Sequence, residues 1–255
     1  MCGRFAVTTD PALLAARIDA VDEVTPARAW TPNYNVAPTT EIAAVVTTPD
    51  VAGDPPTRRI RLMRWGLVPS WSKPGPDGGP DPKAPLLINA RAETVTTSPA
   101  FRDSARHRRC LIPVDGWYEW SADPLAGSGP ASVGKTPFFL HCADGATVFL
   151  AGLWSVWQPA TRPSDGPLVT CAIITREAVG VSARIHHRMP LILDESDWGT
   201  WLDTAIPLDQ AVLSRPPDPT GIEAQEVSRL VNSVRNNGPE LIAPAAPPPG
   251  QLTLL

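Results

Sequence analysis

Lysine is nearly absent from this chain. Only Lys73, Lys83 and Lys135 occur among 255 residues, so most of the 22 basic side chains are arginine. With 26 acidic residues the formal net charge is -4, which excludes a protein that coats nucleic acid by bulk charge. Any anion site must therefore be local and built from arginine, whose planar fork reads phosphate and carboxylate with two parallel N–H groups. Cysteine is also sparse: Cys2, Cys110, Cys142 and Cys171 show no CxxC spacing, which argues against a zinc site. The last three lie in apolar, strand-like stretches, where buried free thiols are the ordinary outcome. No basic segment leads into an apolar run at the N-terminus, and no run approaches the ~18–20 apolar residues that span a bilayer. The expectation is a cytoplasmic, reduced protein without a membrane partner.

Proline, by contrast, is plentiful, with 31 residues, and it is clustered. Segments at about 73–85, 121–136 and 158–167 read as loops, and 244–255 as a flexible Pro-rich tail. They interrupt structured segments rather than separate them, so a single domain over residues 2–243 is expected, with insertions at about 73–85 and 121–136. Apolar or β-branched runs at Ile42–Thr48, Cys110–Val114, Thr147–Leu153 and Leu168–Thr175 predict strands, and Arg59–Trp65, which partly alternates charged and apolar residues, predicts a half-exposed one. Asp10 followed by Pro11 predicts a helix to Ile18. Ser98–Pro99 opens a second to about Arg106. Glu195–Leu202 forms a third, with Trp198 and Trp201 on one face. Many short strands with few helices predict an α+β fold with a curled, barrel-like, mainly antiparallel sheet and flanking short helices.

The N-terminus, Met1-Cys2-Gly3-Arg4-Phe5, carries unusual chemical potential. Met1 is removable when the next side chain is small. Cys2 would then hold an α-amine and a thiol two carbons apart, both partly nucleophilic near neutral pH. The amine condenses with an aldehyde to an imine, and the thiol closes onto the imine carbon as a thiazolidine. No internal cysteine can do this. Read alone, Cys2 also admits a peptidase nucleophile, a redox thiol or an ordinary second residue.

Three further polar clusters sit where strands meet turns: Asn89-Ala90-Arg91-Ala92-Glu93, Asp115-Gly116-Trp117-Tyr118-Glu119-Trp120 and Ile185-His186-His187-Arg188-Met189-Pro190. Imine formation needs an acid to protonate a departing hydroxyl. Glu119 between Tyr118 and Trp120 fits a carboxyl whose neutral form is favoured by desolvation, or else a solvated strand-end residue. His186 or His187 fits a proton carrier near neutrality, or a core-facing and solvent-facing pair without chemistry. Asn89 fits a non-titrating hydrogen-bonding group or a turn residue. Arg4, Arg91 and Arg188 each adjoin a candidate site residue, as phosphate contacts would, or as surface ion pairs would. Nine tryptophans include Trp65 and Trp71 on a turn-rich segment, where aromatics stack on unpaired bases or pack in a core.

These clusters, in this order, resemble the SRAP family of abasic-site processing proteins. The likeness covers nearly the whole chain. It extends through Tyr34-Asn35-Val36-Ala37-Pro38, Arg64-Trp65-Gly66-Leu67-Val68-Pro69, Arg109-Cys110-Leu111-Ile112-Pro113, Val231-Asn232 and Gly238-Pro239-Glu240-Leu241. The resemblance implies recognition of abasic sites in single-stranded DNA at replication forks. It implies a thiazolidine crosslink through Cys2 that shields the lesion, by lyase-like chemistry without metal or organic cofactor. Asn89 would hold the Cys2 amine and the sugar, Glu119 would move protons, and His186 would assist ring opening and reversal. Arg4, Arg91 and Arg188 would grip phosphates; Pro38, Trp65 and Trp71 would line the DNA path; Thr175 would lie near the site. It further implies a monomer, nucleoid-associated when on DNA, with replication-fork proteins open as partners. An autoproteolytic thiol peptidase using Cys2 is the alternative. Trp117 departs from the family, standing in an aromatic slot often filled by Phe.

Overall fold

The four apolar runs and the alternating Arg59–Trp65 segment become five strands that hydrogen-bond in a closed circuit. In the computed structural model, residues 2–27, 29–49, 56–122, 134–158, 166–214 and 221–245 are described. The strands are β1 (Phe5–Val7), β2 (Ala20–Asp22), β3 (Asn33–Val36), β4 (Glu41–Pro49), β5 (Pro56–Trp65), β6 (Asn89–Arg91) and β7 (Arg109–Val114). They continue as β8 (Gly116–Ser121), β9 (Thr136–Cys142), β10 (Val148–Trp157), β11 (Leu168–Glu177), β12 (Arg188–Pro190) and β13 (Ile222–Glu226). The helices are α1 (Pro11–Ile18), α2 (Arg102–His107), α3 (Gly180–Ala183), α4 (Glu195–Leu202) and α5 (Gln210–Ser214).

The larger sheet runs β12-β11-β10-β7-β4-β5-β2. A parallel pairing of β11 with β5, Thr170 opposite Arg64 and Cys171 opposite Trp65, returns the sheet on itself. The result is a mixed α+β fold, mostly sheet, with a ring-like arrangement of β5, β4, β7, β10 and β11. Most pairings are antiparallel; β2 with β5, β11 with β5 and β11 with β6 are parallel. A second sheet runs β13-β9-β8-β1-β3.

Both faces of β7 and β10 and most of β4 and β11 are buried, which is why their sequences read as apolar runs, whereas β5 alternates arginines on a partly exposed face with buried Ile60, Met63 and Trp65. On β4, Ala43 and Val45 join the core that receives α1, α2, α4 and α5. Ile42, Ala44 and Val46 face the other core, shared with β1, β8 and β9 and containing Cys2, Phe5, Trp65 and Trp117. Helix starts follow local chemistry. Asp10 accepts from the Ala12 N–H at 2.8 Å, Pro11 leads α1, and Asp19 ends it with a left-handed φ of 51°. Trp198 and Trp201 bury one face of α4 as expected. The helix expected from Ser98 begins later, at Arg102.

Arg109, only 2% exposed, donates to the carbonyls of Ala105, Trp201, Asp203 and Ile206. It thereby joins the end of α4 to the start of β7. Residues 73–85 form tight turns with a bridge between Pro74 and Pro80. Of the segments expected as loop or tail, 123–133, 159–165 and 246–255 lie outside the described residues. Pro244 bridges Val227, and the Ala245 N–H donates to the Glu226 carbonyl at 2.8 Å. No described helix is long and apolar enough to cross a membrane.

Candidate active site

Cys2 reaches the site because the short strand after it is clamped on both sides. Phe5 pairs with Trp117 on β8 and with Val36 on β3. The Tyr118 N–H donates to the Arg4 carbonyl at 2.9 Å, carrying the β1–β8 pairing toward Cys2. The Phe5 ring packs on Trp65 with centroids 4.7 Å apart. Gly116 is required where β1, β8 and β9 meet, since a Cβ there would strike the Leu140 backbone and the Phe139 ring. Asp115 ties the β7–β8 turn to the end of β1, accepting from the Thr8 N–H at 2.6 Å and the Thr9 hydroxyl at 3.2 Å.

Strand β6 brings Asn89 to the same place. It lies parallel to β11, with Asn89 opposite Ile173 and Arg91 opposite Thr175. The Asn89 Nδ2 donates to the Cys2 carbonyl at 2.8 Å, while its Oδ1 is buried without a partner among the described residues. The Trp117 indole N–H is likewise buried and unpartnered among them.

Glu119 occupies the face of β8 that also carries Trp117; Tyr118, itself buried, and Trp120 project to the opposite face. The Tyr118 hydroxyl donates to the Tyr34 carbonyl at 2.7 Å and the Trp120 Nε1 to Asn232 Oδ1 at 2.8 Å. Glu119 is 4% exposed. Burial pushes its carboxyl from an ordinary 4.5 up to about 7, against the pull of the chain's terminal ammonium and of Lys135. The Cys2 thiol is fully buried, and burial, reinforced by the Glu119 charge, raises its pKa far above the ordinary value.

His186 is half-buried and His187 exposed, with ring centroids 4.3 Å apart. His186 Nδ1 lies 2.9 Å from the Arg188 N–H and 3.1 Å from the Arg188 carbonyl. As a neutral ring it accepts from the first, leaving its proton on Nε2; as a cation it donates to the second. Burial lowers its pKa, and the Arg188 carbonyl opposes this. The terminal ammonium, His187 and Lys135 lower it further. Cys2, Glu119 and His186 therefore all feel the chain's terminal ammonium, and the last two also feel Lys135.

The arginines are placed differently from one another. Arg91 is exposed. Arg4 is half-buried, and its Nη1 donates to Asn35 Oδ1 at 2.6 Å and to the Val231 carbonyl at 2.9 Å. Arg188 holds Glu93 in a two-point ion pair, Nη1 to Oε1 at 2.6 Å and Nη2 to Oε2 at 2.9 Å. Its Nη2 also donates to the Thr175 carbonyl at 2.7 Å. Thr175 itself is fully buried. Trp65 is a core residue, 0% exposed, with its Nε1 donating to the Ile88 carbonyl at 3.0 Å. Its ring therefore offers no face to a DNA strand. Trp71 is 67% exposed and lines a groove of about 690 Å³ with Arg64, Lys73 and Leu86. Pro38 is half-buried in the turn before β4, beside Thr39 with a left-handed φ of 74°.

Two residues near these groups escaped the sequence reading. Lys135 leaves a trace, as one of three lysines in the chain. Glu93 sits inside a motif already singled out, but nothing local shows that its partner lies 95 residues away.

The family model described as "SOS response associated peptidase (SRAP)" matches residues 1–234. The chain is 35% identical over 245 residues to abasic site processing protein YoqW of Bacillus subtilis, covering 95% of this chain and 99% of that one. It is 30% identical over 252 residues to abasic site processing protein YedK of Escherichia coli, covering 96% and 100%. To abasic site processing protein HMCES of Gallus gallus it is 31% identical over 240 residues, covering 84% and 67%. A crystal structure of a Bacteroides thetaiotaomicron protein shares the fold, with a TM-score of 0.77 at 23% identity over 96% of this chain and all of that one. Matched by that family model over residues 1–234, and by relatives 30–35% identical along nearly its whole length, this chain belongs to the SRAP family.

Proposed function

We propose that this protein captures abasic sites in single-stranded DNA as a thiazolidine on Cys2, once Met1 has been removed. The observation that carries the reading is the meeting of Cys2, pinned through its carbonyl by Asn89 at 2.8 Å, with a carboxyl that titrates at about 7. The names of its relatives, abasic site processing proteins, point to the same substrate.

The proton balance closes on Glu119. The Cys2 amine adds to the aldehyde carbon of the ring-opened sugar, giving a carbinolamine. Neutral Glu119 gives its proton to the hydroxyl, which leaves as water, and an iminium remains. The thiol, kept protonated by burial, then adds to the iminium carbon and returns a proton to the Glu119 carboxylate. A group titrating near neutral pH is suited to both transfers. Asn89 Oδ1 supplies a buried acceptor beside Cys2, fit for the amine hydrogens. His186, neutral with its proton on Nε2, is the second carrier, suited to opening the sugar ring and to reversal.

The peptidase reading asks for a thiolate, and a fully buried thiol with a raised pKa is poorly suited to that role. Mass spectrometry after mixing the purified protein with an abasic single-stranded oligonucleotide tests the proposal. The expected species lacks Met1 and carries the DNA with loss of one water. Acetylating the α-amine while sparing the thiol should abolish it; a crosslink that survives acetylation would overturn the imine route.

A further inference from the structure

We infer that Glu93 occupies the phosphate seat of Arg188 and thereby sets how tightly an undamaged strand is held. The inference rests on the reading of the chain as a single-strand binder given above. In the Arg188–Glu93 pair each terminal guanidinium nitrogen donates to one carboxylate oxygen, at 2.6 and 2.9 Å. That is the geometry in which arginine receives a phosphate. A backbone phosphate must therefore share the fork with Glu93 or displace it.

Three features make displacement feasible. The Glu93 side chain is 52% exposed whereas that of Arg188 is 12% exposed, so the carboxylate covers a guanidinium otherwise held within the fold. Arg188 has its own anchor in the Thr175 carbonyl at 2.7 Å, and so keeps its orientation when the carboxylate leaves. An ion pair with one partner this exposed is weak enough to yield to a competing anion.

The surroundings concentrate charge on the same spot. Arg91 lies opposite Thr175 on β6, and Arg176 lies opposite Met189 at the β11–β12 pairing. Arg176 feels Glu93, Arg188 and Glu177, and the Glu93 carboxyl is held below its ordinary pKa by Arg188 first and by Arg91 last. Glu93 and the exposed Glu177, which lies opposite Arg188, thus temper a corner that carries three arginines, and of the two carboxylates only Glu93 sits in the Arg188 fork. An undamaged strand, held only through its phosphates, would leave quickly. An abasic strand needs only a brief stay before the covalent step retains it.

The test is the equilibrium affinity of the full chain for an undamaged, labelled single-stranded oligonucleotide across a salt series, with wild type, Glu93→Gln, Glu93→Ala, Arg188→Ala and the Glu93→Gln/Arg188→Ala double variant. Both Glu93 variants should bind about 3–10-fold tighter at low salt, with a log–log salt slope steeper by up to about 0.7. Arg188→Ala should bind more weakly, and on that background Glu93→Gln should gain much less. Unchanged or weaker binding by the Glu93 variants, with thermal stability retained, would overturn the inference and make Glu93 a residue that merely orients Arg188. An equal gain with and without Arg188 would also overturn it, leaving only general charge. Wild type that shows no salt-dependent binding at all would instead bring down the single-strand reading itself.

Discussion

Glu119 and Glu93 place the same side chain in two opposed settings. Glu119 lies buried on β8 next to Cys2, where loss of water drives its carboxyl up to about 7. Glu93 follows β6 at the surface, where the Arg188 guanidinium holds its carboxyl below the ordinary value. The first can exchange a proton near neutral pH because it is desolvated; the second is a fixed negative charge because it is paired. In the proposed function these become chemistry at one region and grip at the other. The sites are nonetheless close in structure, since β6 supplies Asn89 to one and leads directly to Glu93 at the other.

The comparison is most easily broken at its chemical end. Glu119→Gln should slow crosslinking about 10²–10⁴-fold, the span of general acid–base catalysis, while leaving single-strand affinity unchanged. The wild-type rate should bend near pH 7 and the variant should lose that bend. If affinity falls as far as rate, Glu119 is structural and the contrast with Glu93 disappears.

Stability should follow with the signs of the two shifts. A folded pKa of about 7 against an ordinary 4.5 means that the Glu119 contribution is fully present below pH 4.5 and is lost as pH rises through 7. Urea unfolding at pH 5 and pH 8 should show wild type losing on the order of 2–3 kcal/mol relative to Glu119→Gln, which cannot ionise. Equal changes in both proteins would mean that Glu119 is solvated. The Glu93 contribution has the opposite sign: it is present above the ordinary carboxylate range and lost as pH falls through the depressed folded value.

The surface end predicts smaller numbers. Arg188→Ala should weaken single-strand binding about tenfold at low salt and reduce the salt slope by about 0.7. A salt-independent loss would indicate misfolding. Smallest is the Glu93 contribution to folding itself, about 1 kcal/mol or less, because half of its side chain is in water. The difference between Glu93→Gln and wild type in urea midpoints at neutral pH measures it, and a larger loss would show that the pair holds β12 in place.

Much of the frame was legible before any coordinates. Four strands of the ring announce themselves as apolar runs because most of both faces is buried, and β5 as an alternation of arginine and apolar residues because one of its faces is partly exposed. Asp10-Pro11 starts α1 through one side-chain hydrogen bond and one fixed φ, and the spacing of Trp198 and Trp201 marks the buried face of α4. The short strands were not legible. β6, β8 and β12 carry Asn89, Glu119 and Arg188, and polar residues within three- to six-residue segments leave no periodic signal. Trp65 and Trp71 show the same limit. Six residues apart in one turn-rich segment, they end at 0% and 67% exposure, because the parallel pairing of β5 with β11 encloses only the first.

The sequence by itself determined which residues could do the chemistry, since a thiol and an amine on adjacent carbons exist only at an N-terminal cysteine, whatever the fold. It also determined the family, through motifs kept in order along the chain. Only the tertiary structure decided what each charged group is for. A carboxyl's pKa depends on the water and charges within a few ångströms, and those are brought by strands distant in the chain: β1 beside Glu119, β12 beside Glu93.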